Sequence, residues 1–338
     1  MKHLFTTLPL WVCLSATAQN PDSAQFYFKK GVTEKFQKRY LAASQAFEKC
    51  LSFNPTNTDA LMQNGLVLLE MRKLDAAKAC FVKVNEIDPT DKDAIRELMN
   101  LYYNFRQFPK AIEFAQKCLE CENALRILGM SHYQMENYPD AERFLKISLS
   151  KKQNDAEATY MLARTYLDME EYKKALPYYE ASIKMEGAKN TWMYELGLLY
   201  YNQADYKNAK NAFTKAADNG YIQSTDFNEN LGFACLYSGD YEKGEKLLLD
   251  ILAKKPGNKD ILRDMASAFY EQKEYDKSLS YCQKLLEIND KDGKALYQAG
   301  MAFQKKGEKT RGQAMCDKAI EIDPTLLSLR TKKEIPGL

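Results

Sequence analysis

Two cysteines are the residues in this sequence whose spacing is best suited to redox chemistry. Cys118 and Cys121 form a C-x-x-C pair. Redox-active pairs of this form need the positive end of a helix dipole to stabilise the thiolate. This pair is instead expected at the C-terminal end of a helix, where the dipole has the opposite sign. Structural packing is the favoured interpretation, a redox or metal-binding role is the alternative, and a disulfide cannot be assigned from spacing alone.

The histidine and the other cysteines are interpreted as interior residues. No motif places a Ser or Cys nucleophile near His132, so we expect a buried histidine with a hydrogen-bond partner. Free cysteine packs as a small hydrophobic residue, the role expected for Cys50, Cys118, Cys235, Cys282 and Cys316. The sequence also lacks a G-x-x-x-x-G-K phosphate loop. We therefore predict no enzyme activity, no metal and no cofactor.

The overall charge restricts the class of partner. The chain has 338 residues and a formal net charge of +2. Nucleic acid and acidic membranes normally bind strongly basic surfaces, so neither is expected as the main partner. Beyond the N-terminus, no apolar run reaches the ~18 residues that a membrane-spanning helix requires.

The N-terminus has the features of an export signal. Residues 1–18 combine a short polar start, a mostly apolar stretch and the small-x-small sequence Ala16–Ala18. This pattern predicts a cleaved signal peptide, followed by a lead-in at residues 19–23. Lipidation of Cys13 is the alternative, because Leu10–Cys13 is similar to a lipobox. We expect an exported protein of the bacterial periplasm or cell envelope.

A pattern with a period of 34 residues extends over the rest of the chain. A large, mostly aromatic residue recurs at Tyr40, Leu74, Phe108, Tyr138, Tyr172, Tyr206, Tyr241 and Tyr275, with Lys309 as a degenerate last member. Three residues after each of these positions stands Ala, Gly or Ser, and nine residues before each stands Gly or Ala. The one exception is Met99, in a third unit that is four residues short.

This pattern resembles the tetratricopeptide repeat, whose unit of 34 residues folds as a helix-turn-helix. The resemblance implies an all-α fold, a right-handed α-solenoid of about nine such repeats over residues 24–326. Small residues let the two helices of a unit approach closely, and large residues fill the gaps between them. Residues 327–338 are expected to form a C-terminal capping tail, with Leu326, Leu327 and Leu329 covering the last apolar face.

The resemblance also implies a binding surface, because the first helix of each tetratricopeptide unit lines a concave groove. Helix periodicity then selects the residues that point into this groove. They are Arg96, Asn100, Tyr103, Arg126, Met130, Tyr133, Tyr160, Arg164, Tyr194 and Tyr201. Tyr supplies contact area, Arg binds carboxylates and Asn can bond an extended backbone. The alternative interpretation is that these tyrosines pack between units.

We therefore predict a non-catalytic protein–protein interaction scaffold of the cell envelope. Its partner is a peptide segment or protein surface, and no small-molecule substrate is inferred. Arg126 and Arg164 predict that this partner carries an acidic segment. The alternatives are a component of an envelope secretion or assembly complex, with a lipid anchor at Cys13, and a thiol-redox protein that uses Cys118 and Cys121.

Overall fold

The computed structural model describes residues 21–331. The predicted signal peptide, the alternative lipidation site at Cys13 and the end of the predicted capping tail lie outside these residues. The chain divides into two compact units, Met1–Met169 and Glu170–Leu338. Every regular element within residues 21–331 is a helix.

Unit 1 contains, in its described part, four helix pairs and the first helix of a fifth. Its helices are α1 (Pro21–Phe36), α2 (Tyr40–Phe53), α3 (Thr58–Glu70), α4 (Leu74–Ile87), α5 (Lys92–Asn104), α6 (Phe108–Lys117), α7 (Ala124–Gln134), α8 (Tyr138–Lys151) and α9 (Ala156–Asp168).

Unit 2 begins with the second helix of the fifth repeat. Its described helices are α10 (Tyr172–Ser182), α11 (Asn190–Asn202), α12 (Tyr206–Asp218), α13 (Thr225–Tyr237), α14 (Tyr241–Lys254), α15 (Lys259–Glu271), α16 (Tyr275–Ile288), α17 (Gly293–Lys305), α18 (Lys309–Ile322) and α19 (Leu327–Thr331), with a 3-10 turn at Pro324–Leu326 before α19.

The two helices of a repeat begin in different ways. Most first helices after α1 start at a side chain that accepts a backbone N–H, which satisfies a donor that the helix itself leaves unpaired. These residues are Asn57, Asp91, Asp155, Ser224, Asn258 and Asp292. Each second helix follows a turn residue with positive φ, two positions before the helix starts. These residues are Lys38, Arg72, Arg106, Glu136, Glu170, Ala204, Gly239, Lys273 and Gly307.

The small residues of the repeat let the helices of a pair touch. A Cβ atom added at Gly65 of α3 would lie 2.5 Å from the ring of Phe81 on α4. The same 2.5 Å distance separates such an atom at Gly197 from Phe213. Phe81 and Phe213 are fully buried. The predicted pairing of small and large residues is therefore the actual packing of the helix pairs.

The short third repeat and the chain end depart from the pattern. Helix α6 has only 10 residues, against 14 in α2 and α4. At the other end Leu326 is 5% exposed and packs on the last repeat, whereas Leu327 and Leu329 are 52% and 44% exposed. The prediction that all three leucines cap the last repeat is therefore wrong for two of them, because α19 turns their side chains outward.

The predicted all-α solenoid of tetratricopeptide-like helix pairs is confirmed. Among residues 21–331, no helix combines the length and the hydropathy needed to cross a membrane.

Candidate partner-binding surfaces

The predicted binding residues divide between the two units. Eight of them lie on α5, α7 and α9 of unit 1, and Tyr194 and Tyr201 lie on α11 of unit 2. We call the surface formed by α5, α7 and α9 the unit 1 face. The surface formed by α11, α13 and α15 is the unit 2 face.

Arg126 is held by carboxylates of its own chain. Its Nη1 atom lies 3.4 Å from both carboxylate oxygens of Asp155 and 3.4 Å from Oε2 of Glu157. Asp155 is buried and also accepts the backbone N–H of Ala158 at 3.0 Å, so it caps α9. The guanidinium charge is therefore largely balanced within the protein. Partner binding by Arg126 stays a prediction, and a partner's carboxylate would have to compete with Asp155 and Glu157.

Unit 2 repeats this arrangement at an equivalent position. Nη2 of Arg263 on α15 lies 3.0 Å from Oδ2 of Asp292, and Asp292 caps α17 by accepting the N–H of Ala295 at 3.0 Å. In both units the Arg and the capping Asp are 29 residues apart. This recurring Arg–Asp spacing is visible in the sequence and indicates the ion pair, which the helix periodicity alone does not predict.

Tyr133, Arg164 and Asp168 form a connected cluster on the unit 1 face. Tyr133 donates its hydroxyl proton to Oδ2 of Asp168 at 2.5 Å. The Arg164 guanidinium lies 5.9 Å from the Tyr133 ring centroid, and its Nη1 donates to the Tyr160 hydroxyl at 3.2 Å. Burial, and then the hydrogen bond to Asp168, raise the pKa of Tyr133. The phenol therefore stays protonated, and the cluster presents ordered polar tips on aromatic bodies.

Three more predicted residues of the unit 1 face interact within their own chain or are buried. Arg96 is paired with Asp93 at 2.6 Å and Glu97 at 3.2 Å, and Asn100 donates to the Arg96 carbonyl at 2.9 Å. Met130 is 5% exposed. The prediction that Met130 lines the groove is wrong, because its side chain belongs to the core between the helices.

Tyr103 is half-buried on the unit 1 face. Its ring lies 5.7 Å from that of Phe108, measured between centroids. Burial raises the pKa of Tyr103, and the negative charge of Glu157 acts in the same direction. Tyr103 therefore keeps its proton beside the Arg126 cluster.

In unit 2, Tyr194 matches the packing alternative. Its ring stacks on Tyr221 with centroids 4.6 Å apart and lies 5.6 Å from the ring of Phe227. The Tyr194 hydroxyl accepts a hydrogen bond from Nδ2 of Asn230 at 3.0 Å. Tyr201 is half-buried and meets Tyr206 edge to face, with centroids 5.3 Å apart.

The cysteine pair is closed as a disulfide. Cys118 and Cys121 are bonded, directly after the C-terminal end of α6. The bond therefore closes the turn of the short third repeat, and neither sulfur lies at the positive end of that helix dipole. Four of the free cysteines, Cys50, Cys235, Cys282 and Cys316, are buried. Burial raises the pKa of Cys235 to about 11 and that of Cys282 to about 12.

His132 is an interior histidine, as predicted. Its imidazole stacks on Phe144 with centroids 5.5 Å apart. Nδ1 lies 3.3 Å from Nδ2 of Asn137, so the ring has a hydrogen-bond partner. Burial lowers the pKa of His132. The lowered pKa favours the neutral imidazole, which packs on the Phe144 ring.

Comparison with known proteins places the chain among repeat proteins. Profiles described as "Tetratricopeptide repeat" match residues 24–91, 128–221 and 236–326. The BBSome complex member BBS4 of Bos taurus is 24% identical over 271 residues, which cover 77% of this chain and 48% of that protein. The protein O-mannosyl-transferase TMTC1 of Homo sapiens is 27% identical over 162 residues, covering 47% of this chain and 18% of that protein.

Among solved structures, a tetratricopeptide repeat protein from Parabacteroides merdae is 18% identical to this chain, with a TM-score of 0.44. The superposition covers 64% of this chain and 85% of the other protein's chain. The chain spans less than half the length of the two curated relatives. The repeat profiles nevertheless match most of the sequence, and the matches at 24–57, 58–91 and 293–326 each cover one observed helix pair. The chain therefore belongs to the tetratricopeptide repeat family.

Proposed function

We propose that this protein is a non-catalytic scaffold that holds a peptide segment or a protein surface on its first-helix faces. Tetratricopeptide repeat proteins bind proteins and peptides, and BBS4 is named as a member of a complex. The observation that carries the proposal is the ordered cluster of Tyr133, Tyr160, Arg164 and Asp168 on the unit 1 face.

The physical basis is a preformed surface. The hydrogen bonds within this cluster fix the side chains before a partner arrives, so less conformational entropy is lost on binding. Tyr and Arg are enriched among the residues that dominate binding energy at protein interfaces. Because Asp168 already offsets part of the Arg164 charge, the Tyr rings supply the contact area and the polar groups set orientation.

The proposal includes the cell envelope as location. Its basis is the signal-like sequence at residues 1–18, and the Cys118–Cys121 disulfide supports it, because disulfides persist in oxidising compartments. A component of a secretion or assembly complex, anchored by lipid on Cys13, is the alternative. The intact mass of the purified protein distinguishes them, since cleavage leaves Gln19 first and lipidation leaves an acylated Cys13.

Absence of catalysis is also part of the proposal. TMTC1 is a mannosyltransferase by name, but the alignment covers only 18% of it, so its activity does not transfer to this chain. The free thiols have pKa values raised by burial at Cys50, Cys80, Cys235 and Cys282, which opposes thiolate chemistry.

Photo-crosslinking in cells of the source organism tests the proposal. A photoreactive amino acid replaces Tyr133 on α7 or Tyr160 on α9, and the control replaces Lys146, which is exposed on α8. We expect both first-helix positions to capture the same protein and the Lys146 position not to capture it. Equal, diffuse capture from all three positions would contradict a binding role for the unit 1 face.

A further inference from the structure

Three tyrosines form a continuous aromatic surface on unit 2. Tyr201 lies in the last turn of α11, Tyr206 begins α12 and Tyr237 ends α13. The ring centroids of Tyr201 and Tyr206 are 5.3 Å apart, and those of Tyr206 and Tyr237 are 4.6 Å apart. All three side chains are half-buried. We call this surface the tyrosine wall.

Two carboxylates near the tyrosine wall form no ion pair with a neighbouring cation. Glu229 lies on α13 and Asp264 on α15, and neither forms an ion pair or hydrogen bond among residues 21–331. The cation next to Asp264 is Arg263, which is already bonded to Asp260 at 3.3 Å and to Asp292 at 3.0 Å. A positive charge from outside would find both carboxylates available.

Glu229 stands at a repeat position where two other first helices carry an arginine. Arg126 and Arg263 each stand three residues before the small residue of their first helix, and each bridges to the residue that caps the next first helix. Glu229 occupies the same position before Gly232, and Asn258, 29 residues later, caps α15. At the position where α7 and α15 each carry an Arg bonded to the next cap, α13 therefore carries a carboxylate.

The electrostatics of the unit 2 face agree with this geometry. Burial raises the pKa of Glu229, and Asp226, Asp264 and Asp260 raise it further. Burial also raises the pKa of Tyr201 to about 12, together with the charges of Tyr206, Asp264 and Glu229. These neighbours all carry negative charge when ionised, so the potential at Glu229 and Tyr201 is negative. At Asp264, burial and Asp260 raise the pKa, and the Arg263 charge lowers it.

We propose that the tyrosine wall, with Glu229 and Asp264, binds a Lys or Arg side chain on an extended segment of the partner protein. This inference rests on the proposed scaffold function and names the chemistry of its ligand. A cation placed on a Tyr face gains from the ring quadrupole, and the carboxylates add charge-assisted hydrogen bonds. The negative charge of Glu229 and Asp264 would repel an acidic segment at the tyrosine wall. The segment bound here therefore differs in charge from the acidic segment predicted from Arg126 and Arg164.

Peptide binding to the purified protein tests this assignment. The probes are three fluorescein-labelled Gly-Ser peptides that differ only in carrying Lys, Gln or Glu at the same positions. Fluorescence anisotropy is measured on the wild type, on Glu229→Gln/Asp264→Asn, and on Glu242→Gln/Asp250→Asn. The last variant removes the same two charges from exposed positions on α14, so it controls for net charge.

We expect the Lys peptide to bind the wild type and the α14 control with equal affinity, and to bind Glu229→Gln/Asp264→Asn about tenfold more weakly. The Gln and Glu peptides should bind weakly to all three proteins. Equal weakening in both variants, stronger binding of the Glu peptide, or no binding of any peptide would each overturn the assignment. Crosslinking from Tyr133 and Tyr160 is independent of this result, so capture there with no Lys preference here would leave the scaffold function standing.

Discussion

At the scale of single residues, two arginines on first helices form ion pairs with carboxylates of the same chain. Arg126 and Arg263 each link one repeat to the capping Asp of the next. Asp155 and Asp292 are both buried, and removing one partner of such a pair leaves an uncompensated buried charge. The arginines therefore contribute to the stability of the stacked repeats.

Charge reversal at Arg126 should destabilise unit 1. We expect Arg126→Glu to lower the free energy of unfolding by about 2 kcal/mol, less than for a fully buried pair because the guanidinium is partly solvated. Urea denaturation followed by circular dichroism measures the change. Lys83→Glu, the same reversal at an exposed position on α4, is the control. Equal midpoints for the two variants would contradict a structural role for Arg126.

The cysteines give a second prediction at this scale. Because burial raises the pKa of Cys50, Cys80, Cys235 and Cys282, iodoacetamide at pH 8 should modify the folded protein slowly. Cys80 is half-buried and should react first. Mass spectrometry with and without denaturant measures the number of modified thiols. Fast modification of Cys118 or Cys121 before any reductant is added would contradict the disulfide and revive the redox alternative.

At the scale of helices, the two helices of several repeats approach closely at a glycine. Gly65 lies against the fully buried Phe81, so a methyl group added there would overlap the ring. Densely packed interiors relax only partly around added atoms. Stability therefore depends on the size of this residue more than on its helix propensity.

Gly65→Ala should destabilise its repeat by about 1–3 kcal/mol, although Ala is the better helix former. Gly257→Ala is the control, because an added Cβ at Gly257 meets no atom within 4 Å. Thermal denaturation of both variants measures the effect. A higher melting temperature for Gly65→Ala would show that propensity outweighs packing at this contact.

At the scale of the whole molecule, the 34-residue period is enough to predict the helix pairs. The period fixes where small and large residues meet, and this local pairing is repeated along the chain. The binding residues are less predictable, because their partners lie on other helices. Sequence alone does not reveal that Met130 is buried, that Tyr194 stacks on Tyr221, or that Cys118 bonds Cys121. These outcomes depend on the angles and distances between neighbouring repeats.

The uncompensated carboxylates of unit 2 predict how its stability varies with pH. A carboxyl whose pKa is raised on folding favours the folded state while protonated, and that contribution is lost as the pH rises through the raised pKa. Burial raises the pKa of Glu229 and of Asp264 in the folded chain. Glu229→Gln/Asp264→Asn should therefore melt at a higher temperature than the wild type at pH 7.

This difference should shrink as the pH falls below the raised pKa values of the two wild-type carboxyls, because both are then protonated as well. Differential scanning calorimetry across this range measures it, with Glu242→Gln/Asp250→Asn as the control. A variant that melts below the wild type at pH 7 would mean that the two carboxylates have stabilising partners.

The most direct test of the account is a crosslinking scan that compares first and second helices repeat by repeat. Photoreactive residues at Asn100, Tyr133 and Ser267 sample first helices, and those at Glu113, Lys146 and Gln283 sample exposed sites on the following second helices. The yield of each captured protein is quantified by mass spectrometry. We expect one partner to be captured mainly from the first-helix positions. Capture of that partner mainly from the second-helix positions would contradict it.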